Sequence, residues 1–219
     1  MLTNARRRRP ARRKRGVGAA SRTAILDAAR GLWFEHGPRG LSARKIAAAV
    51  GLSPTALYLY FRNIEDLLEH LRLEGHALLA GYLAAAGPDL PALGRIRAMG
   101  RAYYRFGLEH PKQYALMFNV RADETPRHEA LVREMETLML LRRVVEEGIA
   151  RGEVRADLDP MVTTNALWAQ IHGVTALTVS RLLAETTDGD ETPVLEAVLD
   201  ATAAWIAPRG QSEPSGGPR

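Results

Sequence analysis

The 219-residue chain contains no cysteine, which excludes a disulfide framework, a thiolate metal site and a cysteine nucleophile. Its apolar runs are broken by charges well before the roughly 18 residues that a membrane-spanning helix needs. No apolar segment follows the basic N-terminal residues, so we expect no secretory signal, no membrane partner and a soluble, cytoplasmic protein. The six histidines lack metal-ligand spacing, and no serine lies in a nucleophile elbow. We therefore predict no catalytic residue, no metal and no cofactor.

The chain also lacks the alternating apolar pattern of β-strands over more than a few residues. Proline near the start of each apolar segment, with glycine or polar residues between segments, is typical of helices. We therefore predict an all-α fold, with a first helix over 21–36 and two short helices within 41–61. A long fourth helix follows Asn63, and its predicted inward residues are Ile64, Leu67, Leu68, Leu71, Leu78, Leu79, Tyr82 and Leu83. Further helices are predicted over 91–109, 111–119, 126–151, 160–185 and 191–207.

Acidic residues are almost missing from residues 1–62, which hold 14 basic and 2 acidic side chains. Residues 63–219 hold 16 basic and 23 acidic side chains, so the overall charge of +5 combines +12 with −7. A basic region on an otherwise acidic chain predicts a polyanionic partner at one end. We expect a disordered basic arm over 1–20 and a disordered tail over 208–219. Composition alone leaves three roles open for the arm: DNA binding, nuclear localisation and solubility.

Two short helices meet at a tight turn within residues 41–61. Ser42 and Ser53 are suited to cap the two helices, and Pro54 stands at the first position of the second helix. Gly51 supplies the left-handed backbone that ends the first helix. Two helices joined by about three or four residues, with glycine in the turn, are typical of the helix-turn-helix DNA-binding unit.

The second of these helices is predicted to present Thr55, Tyr58, Leu59 and Tyr60 on its outer side, with Leu57 and Phe61 inward. Threonine offers a hydroxyl and a methyl to base edges, and tyrosine hydroxyls suit phosphate oxygens. The alternatives are that the tyrosines pack on neighbouring helices and that the serines only cap helices. The predicted DNA-binding residues are Ser42, Arg44, Lys45, Ser53, Pro54, Thr55, Tyr58, Leu59, Tyr60 and Arg62.

Residues 21–72 resemble the N-terminal domain of the TetR family of transcriptional regulators. The resemblance is carried by Ile25-Leu26-Asp27-Ala28-Ala29, Ser42-Ala43-Arg44-Lys45-Ile46-Ala47, Val50-Gly51-Leu52-Ser53, Leu57-Tyr58, Tyr60-Phe61 and Glu65-Asp66-Leu67-Leu68. It implies a homodimer that binds a two-fold symmetric operator in double-stranded DNA and is released by a small-molecule effector. The fourth helix would then link a DNA-binding domain (21–66) to a ligand-binding and dimerisation domain (67–207). Ile64 stands where the family usually has a phosphate-binding lysine.

The second half resembles TetR C-terminal domains of the Trp-x-x-x-His-Gly type, through Trp168-Ala169-Gln170-Ile171-His172-Gly173. By this resemblance, residues 159–207 supply the helices that pair two subunits. The aromatic and methionine-rich segment 103–118 is typical of an apolar cavity lining, and Trp168 and His172 share a helix face. The alternative is that these side chains are ordinary core. The predicted ligand-binding residues are Tyr103, Phe106, Tyr114, Met117, Phe118, Trp168 and His172.

Two other functions remain open at this point. One is an all-α enzyme that buries carboxylates in a helical cavity, in which case several glutamates should converge: Glu109, Glu134, Glu136 and Glu146. The other is an architectural DNA-binding protein without a ligand, for which DNA coverage should be diffuse.

Overall fold

A computed structural model describes residues 19–118, 128–184 and 186–209, and every regular element in these ranges is helical. The prediction of an all-α fold is confirmed. The α-helices are α1 (Ala19–His36), α2 (Ala43–Ala49), α3 (Pro54–Leu57), α4 (Ile64–Ala84), α5 (Ala92–Glu109), α6 (Pro111–Phe118), α7 (His128–Ala150), α8 (Pro160–Val179) and α9 (Thr192–Ile206). Within the described ranges, no helix is long and apolar enough to cross a membrane.

Helices α1 to α3 pack around a small core because each carries apolar side chains on one face. Ile25, Ala29 and Ile46 are completely buried in it. Gly37 ends α1 with φ of 65°, a left-handed conformation that costs glycine little. The short 3-10 turn Pro38–Gly40 then leads the chain toward α2.

The boundary between two compact units falls between Ile64 and Glu65, at the start of α4. The domain limits expected from the sequence, 21–66 and 67–207, stay predictions. In the second unit, α5 packs against α6, α7, α8 and α9. Its apolar side chains, among them Ile96, Met99 and Phe106, therefore lie at the centre of that unit's core.

Several local predictions are corrected by the structure. Leu78 is 42% exposed whereas Leu79 is buried, since adjacent residues on a helix point about 100° apart and at this position the core lies on the side of Leu79. Helix α8 ends at Val179, not at residue 185, because Arg181 adopts a left-handed φ of 61° that no α-helix continues.

Most other helix ends lie one or two residues from the predicted ones, as in α9, where Glu191 and Ala207 flank the helix. Ala19 and Ala20 belong to α1, so the expectation of disorder over 1–20 is wrong at these two residues. The rest of the predicted basic arm lies outside the described residues, as do residues 119, 126 and 127 and the tail beyond residue 209.

Candidate nucleic-acid interface and ligand cavity

The link between α2 and α3 has the geometry of a helix-turn-helix. The Ser42 Oγ accepts a hydrogen bond from the backbone N–H of Lys45 at 3.2 Å, and the Ser53 Oγ accepts one from Ala56 at 3.1 Å. Both serines therefore cap helices, which satisfies N–H groups that a helix start leaves without partners. Gly51 takes a φ of 67° in the turn between them.

Helix α3 is shorter than the sequence pattern indicates. It ends at Leu57, and Tyr58, Leu59 and Tyr60 form a turn after it, not its outer face. The backbone N–H groups of Leu59 and Tyr60 donate to carbonyls three residues back, at 3.3 and 3.0 Å, so the last turn tightens. Leu57 and Phe61 are buried, as expected.

Side chains on this segment nevertheless face solvent. Tyr58 is 49% exposed and Leu59 is 76% exposed, and Thr55 and Pro54 are exposed as well. Tyr60 is only half-buried, so its ring is partly used in packing. Among the other predicted DNA-binding residues, Ser42 is half-buried, and the exposed ones are Arg44, Lys45, Ser53 and Arg62.

Arg22 of α1 fixes the turn after α3, which the sequence pattern did not indicate. Its guanidinium donates a hydrogen bond to the Tyr60 carbonyl at 2.9 Å and lies 4.5 Å from the centre of the Phe61 ring. A cation above an aromatic face is attracted to it. Arg22 therefore contacts both the backbone at Tyr60 and the buried ring of Phe61. These contacts hold the segment that carries the exposed side chains of Tyr58 and Leu59. Nothing in the sequence distinguishes Arg22 from Arg30, the other arginine of the first helix.

A cavity of about 210 Å³ lies among the helices of the second unit. Side chains from all six of its helices line the cavity, and most of them are aliphatic or aromatic. The lining residues are His76, Leu79, Leu83, Ile96, Met99, Gly100, Tyr103, Phe118, Thr137, Leu138, Leu141, Leu167, Trp168, Ile171, Val198, Leu199 and Thr202.

A polar cluster lies beside this wall. The hydroxyl oxygens of Tyr103 and Tyr114 each lie 2.9 Å from Nδ1 of His172. Burial lowers the pKa of His172 and raises the pKa of Tyr114 to about 12, opposed in Tyr114 by a hydrogen bond with Tyr103. His172 and Tyr114 are therefore neutral near pH 7, and their contacts hold the Tyr103 ring in place against the cavity.

Two family models match this chain over most of its length. Residues 25–71 match the bacterial regulatory proteins of the TetR family, and residues 96–202 match the tetracycline repressor-like C-terminal domain. The chain belongs to the TetR family.

Relatives and solved structures agree with this assignment. An uncharacterized HTH-type transcriptional regulator of Mycobacterium tuberculosis is 32% identical over 125 residues, 54% of this chain and 53% of that protein, so the match spans about half the relative's length. A protein of unknown function from Rhodococcus sp. RHA1 has a TM-score of 0.75 at 25% identity, over 89% of this chain and 99% of its own. A TetR family transcription regulator from Marinobacter aquaeolei VT8 shares the fold, with a TM-score of 0.63 at 23% identity over 87% and 97%.

The predicted ligand-binding residues of this TetR-family chain fall into three groups. Tyr103, Phe118 and Trp168 line the cavity, whereas His172 and Tyr114 stand behind its wall. The remaining two lie in the surrounding core. Phe106 packs on the Tyr82 ring at 5.6 Å between ring centres, and Met117 lies where a side chain on Gly75 would stand. Ligand contact by any of the seven stays a prediction, as does the narrower Trp-x-x-x-His-Gly type.

His76 is one of the cavity-lining residues that the sequence pattern did not indicate. It is buried on α4, and its Nδ1 has no hydrogen-bond partner. Burial lowers the pKa of His76 to about 4. His76 has neither metal-ligand spacing nor a motif around it, so the sequence pattern carries no signal for it.

The glutamates that an enzyme of this fold would bring together stay apart where the structure describes them. Glu109 lies beside Tyr82, and Glu146 pairs with Arg142 at 2.8 Å. Neither of them, nor the exposed Glu136, lines the cavity. The side chain of Glu134 lies outside the described residues.

Proposed function

We propose that this chain is a homodimeric transcriptional repressor that binds a two-fold symmetric operator and leaves it when a small molecule enters the cavity. The observation that carries the proposal is the exposed face after Ser53, where Thr55, Tyr58 and Leu59 stand on a capped helix-turn-helix. Large exposed side chains on a basic unit indicate a surface that binds a polyanion and does not simply face solvent. Family membership supports the same function.

Each exposed group has a separate role in the proposed complex. The hydroxyl and methyl groups of Thr55 contact base edges, and Pro54 and Leu59 contact thymine methyl groups. The hydroxyls of Tyr58 and Tyr60 contact phosphate oxygens, which position the protein without reading sequence. The cationic side chains of Arg44, Lys45 and Arg62 add phosphate contacts, and Arg44 also suits guanine.

The dimer is proposed to form through α8 and α9. Val162 and Leu177 on α8 and Trp205 on α9 are large apolar side chains that stay exposed in the single chain. Covering them with a second copy would remove apolar surface from water. Two copies would then present their helix-turn-helix units to successive major grooves, about 34–36 Å apart.

Contacts between α6 and α4 offer a route from the cavity to the DNA-binding unit. Phe118, the last residue of α6, lines the cavity. The Gln113 side chain donates a hydrogen bond to the Leu71 carbonyl of α4 at 2.8 Å, and Arg72 donates to the Leu116 carbonyl at 3.4 Å. We propose that a ligand displaces α6 and, through these contacts, α4, and that DNA affinity falls because the ligand favours a spacing unsuited to the operator.

Selection of bound fragments from a random DNA pool tests the proposal. We expect a short two-fold symmetric sequence to be enriched, and footprinting should protect that sequence alone. Diffuse protection would contradict the proposal and favour an architectural DNA-binding protein.

Two variants separate base reading from positioning. Thr55→Ala should relax the preference at one or two base pairs, by about 1–3 kcal/mol of discrimination. Tyr58→Phe should weaken binding to all sequences alike. Equal losses across sequences for Thr55→Ala would remove Thr55 from base reading.

A further inference from the structure

The walls of the cavity carry no charge among the residues that the structure describes. The polar lining side chains are His76, Tyr103, Thr137, Trp168 and Thr202, and the remaining lining residues are apolar or glycine. An ionised group moved from water into such a site loses its hydration without gaining a counter-charge, which costs several kcal/mol or more. A carboxylate or ammonium ligand therefore does not suit this lining.

Two of the polar lining groups already have hydrogen-bond partners. The Tyr103 hydroxyl lies 2.9 Å from His172, behind the wall. The Thr202 hydroxyl donates to the Gln170 side chain at 2.8 Å. Neither group requires a ligand atom to complete its hydrogen bonding.

His76 differs from both of them. Only 5% of the residue is exposed, and its Nδ1 has no hydrogen-bond partner. A buried nitrogen without a partner costs about 1–3 kcal/mol, and native proteins rarely leave one so. Because His76 borders the cavity, a molecule inside it can supply the missing partner.

The volume limits the size of that molecule. A dry cavity of about 150 Å³ engineered in another protein binds benzene, whereas pockets for drug-sized ligands have about 300–1,000 Å³. The cavity of about 210 Å³ lies between these values. A fused two-ring compound is therefore a suitable probe.

We infer that the cavity takes an uncharged, largely apolar molecule of one or two rings, whose single polar atom forms a hydrogen bond with Nδ1 of His76. The inference rests on the proposed ligand site and specifies its chemistry. The apolar body of the ligand contacts the side chains of Leu79, Met99 and Ile171. The hydrogen bond to His76 distinguishes this ligand from a plain hydrocarbon of the same shape.

Equilibrium dialysis of the full chain against three matched probes tests the inference. The probes are 2-naphthol, naphthalene and 2-naphthoate, which share a ring system and differ in one group. We expect 2-naphthol to bind about tenfold more tightly than naphthalene, and 2-naphthoate to bind at least about a hundredfold more weakly than 2-naphthol. Tight binding of 2-naphthoate, equal binding of naphthol and naphthalene, or no binding of any probe would each overturn the inference.

Two variants locate the hydrogen bond. His76→Phe should remove the preference for 2-naphthol over naphthalene, whereas His110→Phe, the same change at a histidine outside the cavity lining, should keep it. A preference that survives in His76→Phe would assign the hydrogen bond elsewhere and overturn the inference. The probe series on the unaltered chain remains decisive if a variant fails to fold. Selection of bound DNA is carried out separately, without any probe. A wrong inference about the ligand would change only the probe binding, whereas a wrong proposal for DNA binding would change only the DNA selection.

Discussion

The two units of this chain place their candidate functional groups in opposite surroundings. In the first unit they stand in solvent: Tyr58 and Leu59 are exposed on a segment held by a few hydrogen bonds. In the second unit they are turned inward, around a cavity in which His76 and Tyr103 are almost completely buried. A large charged partner suits the first arrangement, and a small neutral one suits the second.

The two units also carry charge in different ways. Exposed cations keep their hydration and attract a polyanion over distance, so the first unit can carry many of them at little cost. Inside the second unit, the low-dielectric surroundings make each unpaired charge expensive. The buried His76 and the half-buried His172 therefore remain neutral, as the lowered pKa of each indicates.

The strongest change that we predict is a loss of stability at acidic pH, caused by the low pKa of His76. An unfolded histidine has a pKa of about 6.5, whereas burial lowers the pKa of His76 to about 4 in the folded chain. Between these values the unfolded state binds a proton that the folded state does not. The free energy of unfolding is therefore highest above about pH 6.5. It falls by about 3 kcal/mol as the pH falls from 6.5 to 4, because the unfolded chain takes up the proton.

This pH dependence can be checked by urea unfolding of the unaltered chain and of His76→Phe from pH 8 to pH 4. The difference in unfolding free energy should be constant above pH 7 and should change by about 3 kcal/mol between pH 6.5 and pH 4. Parallel profiles down to pH 4 would mean that His76 is protonated in the folded cavity, which would remove the contrast between the two units.

The next effect concerns the contact between α4 and α6. A Cβ added at Gly75 would lie 2.4 Å from Nε2 of Gln113 and 2.5 Å from Sδ of Met117, both buried, whereas a Cβ at Gly81 meets nothing within 4 Å. Gly75→Ala should therefore destabilise the chain by about 1–3 kcal/mol. Gly81→Ala should stabilise it by about 0.5–1 kcal/mol, since alanine is the better helix former.

Denaturant unfolding of Gly75→Ala and Gly81→Ala gives the change in the free energy of unfolding at each of these two positions on α4. If Gly75→Ala were also stabilising, α6 would not pack tightly on α4, and the proposed route from the cavity toward DNA would lose its support.

The two units also differ in how far the sequence predicts them. The turn of the first unit depends on residues that are close in sequence, such as Gly51 and the cap Ser53, so their types alone indicate its geometry. The cavity depends on six helices that meet only after folding. Its α9 side chains Val198 and Thr202 are ordinary helical residues, and nothing local marks them as lining.

Packing between distant residues also explains why individual predictions about buried residues are wrong. Leu78 and Leu79 are chemically identical, and only the packing of α4 decides which one is buried. Phe106 and Tyr103 are predicted to line the same cavity because both belong to an aromatic-rich segment. The direction of each ring, however, is set by its position on α5. Tyr103 faces the cavity, whereas Phe106 packs toward Tyr82.

The smallest expected effect lies in the first unit, where Arg22 acts as a positioning residue. Arg22→Ala removes the hydrogen bond to the Tyr60 carbonyl and the cation over Phe61, so the segment carrying Tyr58 should become less ordered. We expect DNA affinity to fall about fivefold, equivalent to about 1 kcal/mol. Arg30→Ala is the matched control, because it removes the same charge from α1 but breaks an exposed ion pair with Asp27. Fluorescence anisotropy on the selected operator at one salt concentration measures both variants, and equal losses would mean that Arg22 contributes only its charge.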